Sequence, residues 1–153
     1  DYCLVLHGWF TDKEIRNIYY QFKEKYPGRI FHSNKILSNK DLIYQSCDFG
    51  IVTYNPTSEN LKYSMGASGK MYEFLKCGVP LIANDIPDAK NLIEDTGCGL
   101  VTDDFKMIPQ LLNKINSNYD YYKKNCYKQF SLNQFDKQLS LIIKKSSFNN
   151  ILD

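Results

Sequence analysis

Ser68-Gly69-Lys70-Met71-Tyr72-Glu73-Phe74-Leu75-Lys76-Cys77-Gly78-Val79-Pro80-Leu81-Ile82-Ala83 is the segment of this 153-residue chain whose residue types and spacing best suit chemistry. Small residues, Gly66-Ala67-Ser68-Gly69, open a short helix. Gly78 closes it, and Pro80 starts an apolar strand. The first N–H groups of a helix have no acceptor within it, and the helix dipole makes that spot favour an anion. Lys70 adds a full positive charge there. A lysine in the first turn opposes the dipole unless an anion is present, and locally unfavourable choices of this kind often mark sites. Glu73 stands one turn further on, on the side of Lys70. N–H groups and a lysine suit phosphates, and a carboxylate one turn later suits ribose hydroxyls. The pattern points to a nucleoside diphosphate. Taken singly, Lys70 and Glu73 would be solvated surface charges; their joint spacing sets them apart.

Just ahead lies a polar, basic and aromatic run, Asn60, Lys62 and Tyr63. A diphosphate carries at least two charges, so Lys62 is a second phosphate or sugar contact. Glu59 is a further carboxylate in the same loop and reads as an exposed charge. His7-Gly8-Trp9 ends the first strand, and Lys35 and Ile36 lie in the loop after the second. Both places belong to the carboxyl edge of a parallel sheet, where ligands of such sheets bind.

At Lys70 and beyond, the chain resembles the C-terminal, donor-binding domain of the GT-B glycosyltransferases, in particular the paired-glutamate group. The family pattern is a Lys, then Glu-Tyr/Phe-Leu/Met, then Gly-x-Pro and an apolar strand. Here it reads Lys70, Glu73-Phe74-Leu75, Gly78-Val79-Pro80 and Leu81-Ile82-Ala83. Asn84-Asp85-Ile86-Pro87-Asp88, Leu92-Ile93-Glu94-Asp95 and Gly97-Cys98-Gly99-Leu100-Val101 follow in the family's order.

The resemblance implies a Rossmann-like, three-layer α/β domain with a mainly parallel sheet and C-terminal helices. It implies that the domain binds a nucleotide-diphosphate sugar, which the complete enzyme transfers to an acceptor hydroxyl. Donor contacts are implied at Gly66, Ser68, Gly69, Lys70 and Glu73, at the Asn60-x-Lys62-Tyr63 run, at Gly8, and at the backbone near Ile36, beside the base. The family's earlier glutamate, eight positions before the ribose one, falls at Met65. The paired motif is therefore incomplete and gives no stereochemical course. An acceptor-binding N-terminal domain and the first strand of this domain are implied to be missing, so the chain alone is expected not to transfer sugar. No metal or other cofactor is implied, because N–H groups and basic side chains stabilise the leaving diphosphate. The implied acceptor is a growing surface polysaccharide, such as capsule or lipopolysaccharide, or a lipid-linked saccharide. The implied location is the cytoplasm, peripherally at the inner face of the membrane. Two other readings keep the ligand: a nucleotide-sugar 2-epimerase, and a non-catalytic nucleotide-sugar-binding subunit.

Composition narrows the field. The length suits one domain with a sizeable core. A net charge of +2 makes no case for nucleic acid. Five cysteines, an odd number without a Cys-x-x-Cys pair, read as reduced thiols in a reducing compartment. His7 and His32 lack metal-ligand spacing. Gly-x-Ser-x-Gly, Walker and Gly-x-Gly-x-x-Gly motifs are absent from the sequence, so hydrolase, P-loop and dehydrogenase readings fall away. No apolar run is long enough to span a bilayer. The chain opens on an apolar strand without Met or leader, as expected of a piece of a longer protein.

Strand and helix signals alternate along the chain, which predicts an α/β sheet. Residues 2–7 read as a buried strand. Thr11-Asp12-Lys13-Glu14 is a capping box for a helix that places Ile15, Ile18, Tyr19 and Phe22 on one face, and Pro27-Gly28 stops it. Strand 29–33, a second box at Ser38-Asn39-Lys40-Asp41, strand 49–54 and a polar loop 55–63 follow. The motif helix leads to strand 80–84, a helix near 88–95 and strand 99–102. Met107, Leu111, Leu112 and Ile115 mark one further helix, and residues 119–130 another. Ser131 caps a last one bearing Phe135, Leu139, Ile142 and Ile143. An Asn- and Lys-rich tail ends the chain.

Overall fold

The computed structural model describes residues 2–145. The chain divides into two compact units, residues 1–39 and 40–153, each taken here by itself.

The first unit is a β-α-β run: β1 (Leu4–His7), α1 (Lys13–Lys25) and β2 (Ile30–Ser33). β1 and β2 pair in parallel, Leu4 opposite Ile30 and His7 opposite Ser33. Asp12, not Thr11, caps α1: its Oδ1 accepts from Glu14 N at 2.6 Å and Ile15 N at 3.4 Å. With the cap shifted by one residue, Glu14 stands too early to close the reciprocal box. Phe10, Tyr19 and His32 form an aromatic cluster, with ring centroids 4.5 to 5.5 Å apart. The first strand is not buried: Leu4 is 41% and Val5 52% exposed. Ile15, Ile18 and Phe22 are exposed too, and Tyr19 alone of the expected α1 face is buried. Two strands and one helix offer too little surface to cover every apolar side chain.

The second unit holds α2 (Asp41–Gln45), β3 (Gly50–Val52), α3 (Glu59–Lys62), a 3₁₀ turn (Met65–Ala67), α4 (Gly69–Lys76) and β4 (Leu81–Ala83). A π-helix (Lys90–Glu94), β5 (Gly99–Val101) and a 3₁₀ turn (Phe105–Met107) follow. The helices α5 (Ile108–Asn116), α6 (Tyr119–Leu132) and α7 (Phe135–Lys145) complete it. The strands pair in parallel in the order β3-β4-β5, with Gly50, Leu81 and Gly99 in one row.

Side chains alternate across the sheet. Val52, Leu81 and Ala83 pack with Met71 and Leu75 of α4 and Ile93 of the π-helix. Ile82 and Leu100 pack with Ile115 of α5 and Tyr122 of α6. Helices thus cover both faces, and the fold is α/β with parallel strands, Rossmann-like in its layering. The Cys126 thiol of α6 donates to the carbonyls of Val79, at 3.6 Å, and Cys98, at 3.5 Å, where the chain approaches β4 and β5.

Gly78 closes α4 as expected, at φ +70°. Its N–H donates to the Leu75 carbonyl and that of Val79 to the Phe74 carbonyl, both at 3.0 Å, which is the paired C-terminal bonding of a Schellman motif. Other boundaries moved. Lys40 stands at the start of α2 without a side-chain cap, so the box at Ser38 does not form. The loop 55–63 contains α3, capped by Ser58. The helix expected near 88–95 is a π-helix, with Asp95 N donating to the Lys90 carbonyl at 3.0 Å. Ser131 lies inside α6, and its Oγ accepts from Lys137 Nζ at 2.6 Å. The Phe135 side chain and the Asn-rich tail beyond residue 145 lie outside the described residues.

Candidate functional site

The start of α4 is built from the cap outward. Ser68 is buried, and its Oγ accepts from Met71 N at 3.2 Å. Its own N–H donates to the Met65 carbonyl at 3.1 Å. Four N–H groups at a helix start lack intrahelical acceptors, and these bonds engage the first and the fourth. The N–H groups of Gly69 and Lys70 have no acceptor among the described residues. Lys70 is exposed and makes no ion pair among them. Of the N–H groups at Ser68, Gly69 and Lys70, where an anion cradle is expected, the last two are without an acceptor among the described residues. Gly66 is exposed on the preceding turn. Met65, at the position matched to the family's first glutamate, is 0% exposed and packs in the core. Its side chain is therefore packing, out of a ligand's reach.

A cleft of about 540 Å³ opens before this helix, lined by Tyr54, Glu59, Asn60, Tyr63, Ser64 and Ala67. α3 carries Glu59 and Asn60, and the Asn60 carbonyl accepts from Ser64 Oγ at 2.6 Å. Asn60 and Tyr63 thus meet in the cleft. Lys62 does not line it: its ammonium lies 3.6 Å from Glu59 and 5.3 Å from the Tyr63 ring centroid. Exposed pairs of this kind contribute little and are easily exchanged.

Tyr54, which follows β3, was not a candidate from the sequence. Its hydroxyl lies 2.7 Å from Ser68 Oγ. Asn84, just after β4, accepts from Tyr54 N at 3.0 Å and donates to the Tyr54 carbonyl at 2.9 Å. One buried amide so joins the carboxyl ends of two strands and holds Tyr54 against the start of α4. The available signal was position, since Tyr54 and Asn84 both sit at the strand ends where ligands of parallel sheets bind.

Glu73 is half-buried and makes no hydrogen bond or ion pair among the described residues. It faces α2: burial first, and then the Glu73 charge, push the Tyr44 phenol up from its ordinary value. The Cys77 thiol is pushed up by burial and by Asp41, with a smaller effect from Glu73. Asp41 binds Lys76 at 2.7 Å, so the nearby lysine is taken and Glu73 is left unpaired.

Gly8 and Ile36 belong to the first unit. Gly8, at φ +135°, donates to the Ser33 carbonyl at 2.9 Å and accepts from His32 Nε2 at 2.8 Å. Ile36 is 86% exposed. Among the described residues no three His, Cys, Asp or Glu side chains gather as metal ligands, and no helix is long and apolar enough to cross a membrane.

The fold is of the class in which ligands sit at the carboxyl edge of a parallel sheet. A family model described as Glucosyltransferase 3-like, C-terminal domain, matches residues 5–135. The chain belongs to that family and is a glycosyltransferase-related domain. A search of curated proteins finds no match.

Proposed function

We propose that this domain binds a nucleotide-diphosphate sugar and forms the donor half of an enzyme that passes a hexose to an acceptor hydroxyl. The observation that carries this reading is the start of α4. Two adjacent N–H groups have no acceptor among the described residues, one of them that of the exposed Lys70, and an unpaired, half-buried carboxylate, Glu73, follows one turn later. The N–H groups of Gly69 and Lys70 and the Lys70 side chain take the diphosphate. Glu73 accepts from the ribose hydroxyls. Lys62 leaves Glu59 for the second phosphate. In transfer the bond between the sugar and the phosphate oxygen breaks, and negative charge grows on the leaving diphosphate. Fixed N–H groups and a lysine stabilise that charge without a metal. The acceptor is a growing polysaccharide or lipid-linked saccharide, met at the cytoplasmic face of a membrane.

The test is calorimetric titration with UDP, GDP and ADP beside their nucleosides, at rising salt. Diphosphates are expected to bind, and more weakly as salt screens the charges. Lys70→Ala should reduce diphosphate affinity far more than nucleoside affinity. An equal loss for both would mean that Lys70 acts through the fold, and no diphosphate binding at all would end the reading.

A further inference from the structure

The Ser68–Tyr54 hydrogen bond leaves one proton to be placed. Ser68 is 2% exposed, and its Oγ already accepts from Met71 N. A buried hydroxyl needs an acceptor for its own proton. Among the described residues the Tyr54 oxygen, 2.7 Å away, is the one acceptor for it. Ser68 therefore donates and Tyr54 accepts, and the phenolic proton of Tyr54 is free to serve another acceptor. Tyr54 lines the cleft of about 540 Å³, a volume within the range of small-molecule sites.

The cleft wall says what that acceptor is. Glu59 lines it, with its side chain 78% exposed and its carboxylate 3.6 Å from Lys62 Nζ, and a carboxylate repels phosphate and accepts from hydroxyls. The Asn60 amide and the Ser64 hydroxyl add donors and acceptors. Tyr63, 54% exposed, adds an aromatic surface for the apolar face of a sugar ring. A carboxylate, an amide, hydroxyls and tyrosine rings together suit a neutral, polyhydroxylated ligand. We propose that this cleft is the subsite for the hexose of the donor, and that the Tyr54 hydroxyl donates to a sugar oxygen there. The proposal rests on the donor-binding reading above and adds Tyr54, with the orientation that Ser68 and Asn84 impose on it, as a sugar contact.

Titrating wild type, Tyr54→Phe and Tyr63→Ala with UDP and UDP-glucose, and with GDP and GDP-glucose as a second pair, tests it. Tyr54→Phe keeps the ring and removes only the hydroxyl. It should lower affinity for the nucleotide-glucose about five- to tenfold while the free diphosphate binds as before. A merely structural role would weaken both ligands alike, and that result, or no loss for either, would overturn the proposal while leaving the diphosphate site standing. Should Tyr54→Phe not fold, the exposed Tyr63 carries the decision. Selective loss of the nucleotide-glucose in Tyr63→Ala supports the subsite, and equal binding sinks it. If wild type binds neither pair, the donor reading fails and this inference fails with it.

Discussion

Among the described residues of the first unit, Tyr19 is the one buried hydrophobic side chain, whereas in residues 40–145 both faces of a three-stranded sheet are filled. Each unit has parallel strands and at least one helix, so local structure does not explain the contrast. Coverage does. One helix on a two-stranded sheet leaves Leu4, Val5 and Phe31 exposed, while helices on both sides of β4 leave Leu81, Ile82 and Ala83 at 0% exposure. The cleft and the unbonded N–H groups of α4 belong to the better-packed unit. Ligand groups held on packed elements keep their geometry.

Paired truncations test the contrast most directly. Leu75→Ala, in the fully buried face of α4, should cost about 2–5 kcal/mol in denaturant melts. Val5→Ala, on the exposed face of β1, should cost less than about 0.5 kcal/mol. Equal costs would mean that burial is not what separates the units. Binding should divide the same way. Glu73→Ala should weaken nucleoside diphosphate binding by about 1.5–3 kcal/mol in calorimetry. The melting temperature should hold or rise, since a half-buried carboxylate without a partner is unfavourable. Unchanged affinity would make Glu73 a plain surface charge. Ile36→Ala should change affinity by less than about 0.5 kcal/mol, because the family resemblance gives that loop a backbone role. A larger loss would assign the side chain itself a contact.

The smallest effect concerns the Asp41–Lys76 pair. The hydrogen bond to Asp41 raises Lys76 above its ordinary value of 10.5. A raised lysine contributes stability that is complete below the unfolded value and is lost as pH rises through the folded one. The melting-temperature difference between wild type and Lys76→Met should therefore hold from neutral pH to about pH 10 and shrink above it. A difference that does not shrink at all as pH rises above 10.5 would show that the pair is not what Lys76 contributes.

The sequence could be read best where one residue type has one physical use. Gly78 before Val79-Pro80 marked a helix end because only glycine turns left-handed there cheaply, and the α4 face followed from Met71 and Leu75 at a spacing of four. Caps were read one residue off at Asp12, because neighbouring polar residues compete for the same N–H groups. Helix α3 has four residues, too few to show a period. The apolar residues of β1 signalled a strand but not its exposure, which depends on what other segments cover. Met65 was placed by its match to a motif, yet its apolar side chain belongs in the core. The Tyr54–Asn84 bridge joins residues thirty positions apart, and no local pattern in one sequence announces such a pair.

Cys98 and Cys126 give the second unit a chemical clock. Both are 0% exposed. The hydrogen bond with Cys98, and then burial, hold the Cys126 thiol protonated far above the ordinary thiol range. A maleimide attacks only an accessible thiolate, so exposed Cys3 reacts at once while these two wait for the junction between α6 and the sheet to open. Alkylation then prevents closure. Their modification rate, compared with that of Cys3 in the same sample, counts the openings of that junction, and a bound donor that braces the unit would slow the clock without touching either sulfur.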